Sequence, residues 1–344
     1  MNRFETMLQK YRSAEKPLPA IPIAVYPGLK LINKRVCDLT HDAQVQADAV
    51  SALHERYTTS VLLSAMDLSA EAEAFGCTIY ESETEIPTVM GNLITCRESA
   101  QDLNVPEAGN ARTAVYIETV RRLRDRYPHE PILGGCIGPF SLASRLAGVS
   151  ETLLLTMTDP EYVKILLQKS VRFLTAYIRE FIENGADGML MAEPAAGLLS
   201  PKGMREFSSS HIAAIRQCVE EYDSEFALIV HNCAAKTKHL DALLETGCRH
   251  FHFGSPMAMT ETLERVRPEI TIYGNLDPSA VFCLSAPEET ASQTRELIRK
   301  TGGYKNFGIS SGCDLPPQTP IDNLDTFFEV VATTCQRPME ATSH

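Results

Sequence analysis

Three residues of this chain have the types and spacing to hold a metal: His231, Cys233 and Cys313. The stretch Ala227-Leu-Ile-Val-His-Asn-Cys233 opens with four apolar residues, the pattern of a buried strand, and delivers His231 and Cys233 at its C-terminal end. Side chains two apart on a strand point the same way, so an imidazole and a thiol project into one space. Eighty positions further on, a second apolar strand, Phe307-Gly-Ile-Ser-Ser-Gly-Cys313, ends in another cysteine followed by Asp314. Imidazole and thiolate are preferred zinc ligands, and three protein ligands leave a fourth position open, as catalytic zinc sites do. His231-x-Cys233 alone reads equally well as a buried cysteine beside a hydrogen-bonded histidine. Cys313 at a second strand end shifts the balance toward metal.

The elements that must position these residues alternate along the chain. Short apolar runs at 21–26, 59–66, 131–137, 188–192, 227–233, 250–253, 270–273 and 307–310 are each followed by Gly, Pro, Asp or Asn. Helical patterns lie between many of them, at 42–56, 111–127, 159–184, 260–266 and 287–300, with Asp159 as an N-cap and Pro160 in the first turn of the longest. Residues 77–89 read as a small hairpin, and Gly138-Pro-Phe140 as a turn. Strand and helix in alternation predict a parallel sheet, and eight such units closing on themselves make a single α/β (β/α)8 barrel of the TIM type over residues 1–344, with a small N-terminal helical and hairpin elaboration. An open doubly wound sheet is the rival, but Gly134-Gly135-x-x-Gly138 lacks the dinucleotide fingerprint spacing and no helix clearly follows it. A barrel also gathers strand ends onto one face, and Asp67, Glu193, His231, Cys233, Asn275, Asp277 and Cys313 all stand at strand ends.

Composition narrows the partners. The net charge of −12 over 344 residues argues against a broad nucleic-acid or anionic-membrane surface. No apolar run approaches the length of a membrane helix. Ten cysteines without a signal peptide or a Cys-x-x-Cys pair are expected of free thiols in a reducing, cytoplasmic compartment.

Each candidate has an ordinary reading beside the chemical one. Cys77, Cys96, Cys136, Cys218, Cys248, Cys283 and Cys335 fit small core or surface residues. His250 and His252 share one strand face and could ligate metal, but no third partner is spaced to join them, so core or ligand-supporting roles fit better. Asp67 and Glu193 could be helix N-caps.

Taken together, these residues resemble the uroporphyrinogen decarboxylase superfamily, and within it the corrinoid-dependent methylcobamide:coenzyme M methyltransferase branch. The matching pieces are Ala70-Glu-Ala-Glu-Ala-Phe-Gly76, Gly138-Pro-Phe140, Asp187-Gly188 through Glu193-Pro194, Leu199-Ser-Pro201 with Phe207, His231-Asn-Cys233, Gly274-Asn-Leu-Asp277 and Ser311-Gly-Cys313 with Pro316 and Thr319-Pro320. The resemblance implies a (β/α)8 barrel and one zinc held by His231, Cys233 and Cys313, with Glu193 as a displaceable fourth ligand. It makes Glu193 and Asp67 the candidate catalytic acids, and Asn275 and Asp277 the candidate cofactor-binding pair. The superfamily's decarboxylases grip substrate carboxylates with an arginine-rich N-terminal motif; residues 21–30 here hold no arginine.

Three activities compete on this basis. The first passes a methyl group from a methylcorrinoid to a zinc-activated thiol such as coenzyme M. The second runs on the donor side, taking methyl from a methylated amine, ether or sulfide to cobalt(I), with zinc as Lewis acid. The third is decarboxylation, or a zinc barrel without catalysis. The corrinoid is expected on a separate protein, since the chain has no Asp-x-His-x-x-Gly motif. The acidic net charge suggests a basic rim on that carrier, meeting strand-end loops around Asp67, Glu193, Asn275 and Asp314.

Overall fold

The computed structural model describes residues 2–14 and 19–334. Seven parallel strands form one curled sheet: β1 (Leu62–Leu63), β4 (Ile132–Ile137), β5 (Gly188–Ala192), β6 (Ala227–Asn232), β7 (His250–Phe253), β8 (Thr271–Leu276) and β9 (Phe307–Ser311), bonded in that order. The hairpin stands apart as an antiparallel pair, β2 (Thr78–Tyr80) with β3 (Thr88–Met90). Every residue of β4, β5, β6, β7 and β9 is buried. Such strands are covered on both faces, which is why they read as near-continuous apolar runs. The fold is a TIM-type α/β barrel.

The eighth stave departs from the sequence expectation. Residues 21–26 were expected as a strand; residues 19–24 run extended beside β9 but form no regular ladder. Ile21 N donates to Ile309 O at 3.1 Å and Leu315 N to Ile23 O at 2.9 Å, while Ile23 N turns to the Ser311 hydroxyl at 3.0 Å. Pro19 and Pro22 remove two of the donors that a ladder would need. Across the seam toward β1 the contact is apolar packing, with Ala20, Ile21, Val61, Leu63, Tyr57 and Phe328 lining a cleft. With only β4 to pair with, the expected strand at 59–66 shrinks to Leu62–Leu63.

Helices cover the outside and plug the bottom. Helix Pro160–Glu183 starts at Asp159, whose side chain accepts from Tyr162 N at 3.3 Å, and stops before Gly185, held at φ +95°. Helix Arg3–Ser13 lies under the strand starts. Its Asn2 cap donates to Asp187 O and Glu225 O at 2.6 Å, Phe4 packs edge-on against His250, and Glu5 accepts from His250 Nε2 at 2.8 Å. The turn expected at 138–140 is instead the start of helix Pro139–Ala147, which directly follows β4 and leads into helix Val149–Thr158. Among the described residues no helix is long and apolar enough to cross a membrane. The nine described cysteines are free thiols, and Cys335 lies outside the described residues.

Asp187, just before β5, ties this floor together. Its buried carboxylate accepts from Arg124 Nη2 at 2.7 Å, Arg3 Nη1 at 3.2 Å and Ile132 N at 2.9 Å. Removing one partner of a buried pair strands the other charge, at a cost of about 3–5 kcal/mol. Asp187→Ala should therefore lower the midpoint of urea unfolding by an amount equivalent to that loss; a shift worth less than about 1 kcal/mol would show that the pair is effectively solvent-screened.

Candidate metal centre

β6 ends at Asn232, so His231 sits in its last turn of pleat and Cys233 just beyond it. β9 ends at Ser311, and Gly312 carries the chain to Cys313. The ligating atoms of His231, Cys233 and Cys313 lie within 4.8 Å of one another, with the histidine buried and the cysteines half-buried. His231 Nε2 is 3.5 Å from the Cys313 sulfur. Tetrahedral zinc, with bonds of about 2.0–2.1 Å to nitrogen and about 2.3 Å to sulfur, would hold such atoms about 3.6 Å apart. Gly254 makes the approach possible: a Cβ there would run into the backbone of Cys233.

The two thiols compete for one negative charge. A hydrogen bond from Cys313 pulls the Cys233 thiol well below its ordinary value against the effect of burial. Cys313 is driven the other way by that hydrogen bond, by burial and by the Cys233 charge. A divalent cation would remove this competition, because both thiolates could then face positive charge. The donor set fits zinc.

His231 is fixed from behind. Its Nδ1 lies 2.9 Å from His252 Nδ1 and 3.3 Å from the His252 carbonyl oxygen. The two residues are register partners in β6 and β7. His252 Nε2 is 2.7 Å from the Ser310 hydroxyl, which is itself 2.7 Å from Ile21 O. Burial, then the neighbouring His231, lower the His252 pKa well below the ordinary imidazole range. His250, on the same strand, is drawn to Glu5 at the barrel floor.

The other sequence candidates are brought close in the chain but turn elsewhere. Glu193 follows β5 and is fully buried. Its Oε1 accepts from Phe140 N at 2.8 Å and the Ser208 hydroxyl at 2.9 Å, and its Oε2 from Ser141 N at 2.8 Å. The carboxylate thus caps helix Pro139–Ala147, and it does not join the three residues that could hold a metal ion. Gly138 is required here, since a Cβ would strike the Glu193 carboxylate. Burial raises the Glu193 pKa, and the hydrogen bonds from Ser141, Phe140 and Ser208 oppose that rise. Ser208 reaches it from a π-turn at Arg205–Ser209, a distortion no sequence signal announced.

Asp67 is a structural anchor in this arrangement. It accepts from Arg112, from Tyr116 Oη at 2.9 Å and from Ser69 N at 2.9 Å. Asn275 Nδ2 donates to Gly254 O at 3.2 Å and Met257 O at 2.8 Å, and so braces the loop that backs Cys233. Asp277 caps the next turn, accepting from Ser279 N and Ala280 N at 2.9 and 2.8 Å. Of the acids named in the strand-end loops around Asp67, Glu193, Asn275 and Asp314, none offers a free carboxylate to a partner: Asp67 is paired with a buried arginine, Glu193 is fully covered, and the Asp314 oxygens are buried. Among the described residues, the Asp314 oxygens and the Tyr26 hydroxyl have no hydrogen-bond partner. Burial raises both groups.

The chain matches the uroporphyrinogen decarboxylase family over residues 17–334. A methylcobamide:CoM methyltransferase of Methanosarcina acetivorans is 26% identical over 340 residues, covering 96% of this chain and 98% of the relative. A methylated-thiol–coenzyme M methyltransferase of Methanosarcina mazei is 26% identical, over 85% of this chain and 78% of its own length. A uroporphyrinogen decarboxylase of Coxiella burnetii is 23% identical over 80% of this chain and 78% of its own. Among solved structures, a methyltransferase from Methanosarcina mazei shares the fold with a TM-score of 0.82, at 19% identity over 93% of this chain and 94% of that one. With the family's pattern spanning the barrel from its seam to its last helix, this chain belongs to the uroporphyrinogen decarboxylase family.

Proposed function

We propose that this protein is a zinc-dependent methyltransferase that moves a methyl group from a methylcorrinoid, presented by a separate corrinoid protein, to a small thiol. The observation that carries the reading is the convergence of His231, Cys233 and Cys313 at the ends of β6 and β9, with a spacing that suits one zinc. The relatives named for methyl transfer to coenzyme M support it. The absence of arginine from residues 21–30 weighs against decarboxylation.

His231, Cys233 and Cys313 would hold the metal. Zinc bound there would keep a substrate thiol deprotonated at neutral pH, where a free thiol with pKa about 8.5 is only a few per cent ionised, a gain of up to roughly 30-fold. For Glu193 to serve as fourth ligand it would have to surrender three hydrogen bonds, so the open position is assigned to the substrate sulfur. In the transfer a sulfur–carbon bond forms, the cobalt–carbon bond breaks, and its electron pair stays on cobalt(I). A packed barrel interior cannot admit a corrinoid, so the methyl group must arrive from the open face. The methylated-thiol relative favours one second reading, transfer from a methylated sulfide onto cobalt(I).

The purified protein should contain close to one zinc per chain, and Cys233→Ala and Cys313→Ala should each lose most of it. Elemental analysis showing full zinc in both variants would remove the assignment.

Incubation with free methylcobalamin and a panel of thiols should give the spectral change from methylcobalt(III) to cobalt(I). Chelating the zinc should slow it by up to about 30-fold at pH 7 and by less at pH 9, because the ordinary thiol then ionises unaided. A rate indifferent to zinc at both pH values defeats the proposal. In a parallel incubation started from reduced cob(I)alamin, methylated sulfides that convert cobalt(I) to methylcobalt(III) and release the thiol would select the second reading.

A further inference from the structure

We infer that His252 and Ser310 are positioning residues that hold His231 in its Nδ1–H form, so that its Nε2 lone pair faces the two cysteines. The function of this arrangement rests on the zinc reading above, but its geometry does not. The proton inventory allows one direction. The His252 carbonyl oxygen, 3.3 Å from His231 Nδ1, has no hydrogen to give, so a lone pair on that nitrogen would face a lone pair. His231 Nδ1 therefore carries the hydrogen. His252 Nδ1, 2.9 Å away, must then be the acceptor, which places the His252 hydrogen on Nε2. That nitrogen donates to Ser310 Oγ at 2.7 Å, and the Ser310 hydrogen goes to a backbone carbonyl oxygen, Ile21 O at 2.7 Å, with Ser311 O farther off at 3.0 Å.

Three donors in succession thus point away from the cysteines and end on a backbone carbonyl that can only accept. Each buried polar atom in the series is satisfied once, and reversing the series would leave the Ile21 carbonyl without the serine hydrogen. The carbonyl end is what fixes the tautomers upstream. All three side chains are essentially inaccessible, at 1%, 2% and 0% exposure for His231, His252 and Ser310, so water does not compete for these positions. Partners behind a ligating histidine fix its ring orientation and raise its basicity, and losing one commonly costs about 10–100-fold in metal affinity.

The test uses the full chain and two readouts. In the metal-free protein with nitrogen-15 histidine, long-range proton–nitrogen spectra should show His231 protonated at Nδ1 and bare at Nε2. In a chelator competition with zinc, His252→Leu should bind about 10–100-fold more weakly than the native protein. His252→Asn, whose amide oxygen can stand near the lost Nδ1, should recover most of the affinity, which a purely space-filling role for the ring would not predict. Ser310→Ala should fall between the two. The inference is overturned if His231 carries its hydrogen on Nε2 in the native chain, or if folded His252→Leu, checked by circular dichroism, binds zinc within about 3-fold of native. Should the native chain bind no zinc at all, the methyltransferase reading fails and the histidine spectrum alone decides the positioning.

Discussion

Two thiols and an imidazole crowded into a half-buried pocket cannot all take their ligating form without a compensating positive charge. Cys233 and Cys313 face this conflict: the hydrogen bond that lowers the one thiol raises the other. Much of the surrounding structure serves to hold them together against it. Backbone approach at Gly254, the brace from Asn275 and the tight passage through Gly312 keep the loops close. A cation of the right size would turn this unfavourable cluster into a set of satisfied ligands, with the cost borne by the scaffold.

The acids follow a different logic. Asp67, Glu193 and Asp187 all stand at strand ends or starts, and each is spent on fixing another element: a buried arginine, a helix N-terminus, the barrel floor. Glu193 is the clearest case. It caps the helix that follows β4, although it belongs to the strand after it, and so locks two neighbouring strand ends together next to the metal ligands.

How much of this could be read from residues alone follows from range. The parallel barrel was legible because strands buried on both faces are apolar throughout, as in 132–137 and 188–192, and because caps such as Asp159-Pro160 are local signals. The convergence of His231, Cys233 and Cys313 was legible because strand-end positions can be read without knowing the sheet. What escaped depended on contacts far along the chain. Pro139 reads as a turn until Glu193 arrives to cap it. His252 looks like one of two equivalent histidines until β6 and β7 come into register, when it meets His231 while His250 meets Glu5. Residues 21–26 have strand-like composition, and only the placement of Pro19 and Pro22 against β9 shows why no ladder forms.

The seam of the barrel joins the earliest part of the chain to the latest. Ser310 meets Ile21 across 289 positions. At ribosomal speeds of about 5–20 residues per second, Ile21 leaves the ribosome roughly 15–60 s before its partner exists. During that interval β6 can present His231 and Cys233, but the serine that orients the histidine and the second cysteine have not been made. The proposed metal centre would therefore be assembled late in biosynthesis, completed by the same residues that close the barrel.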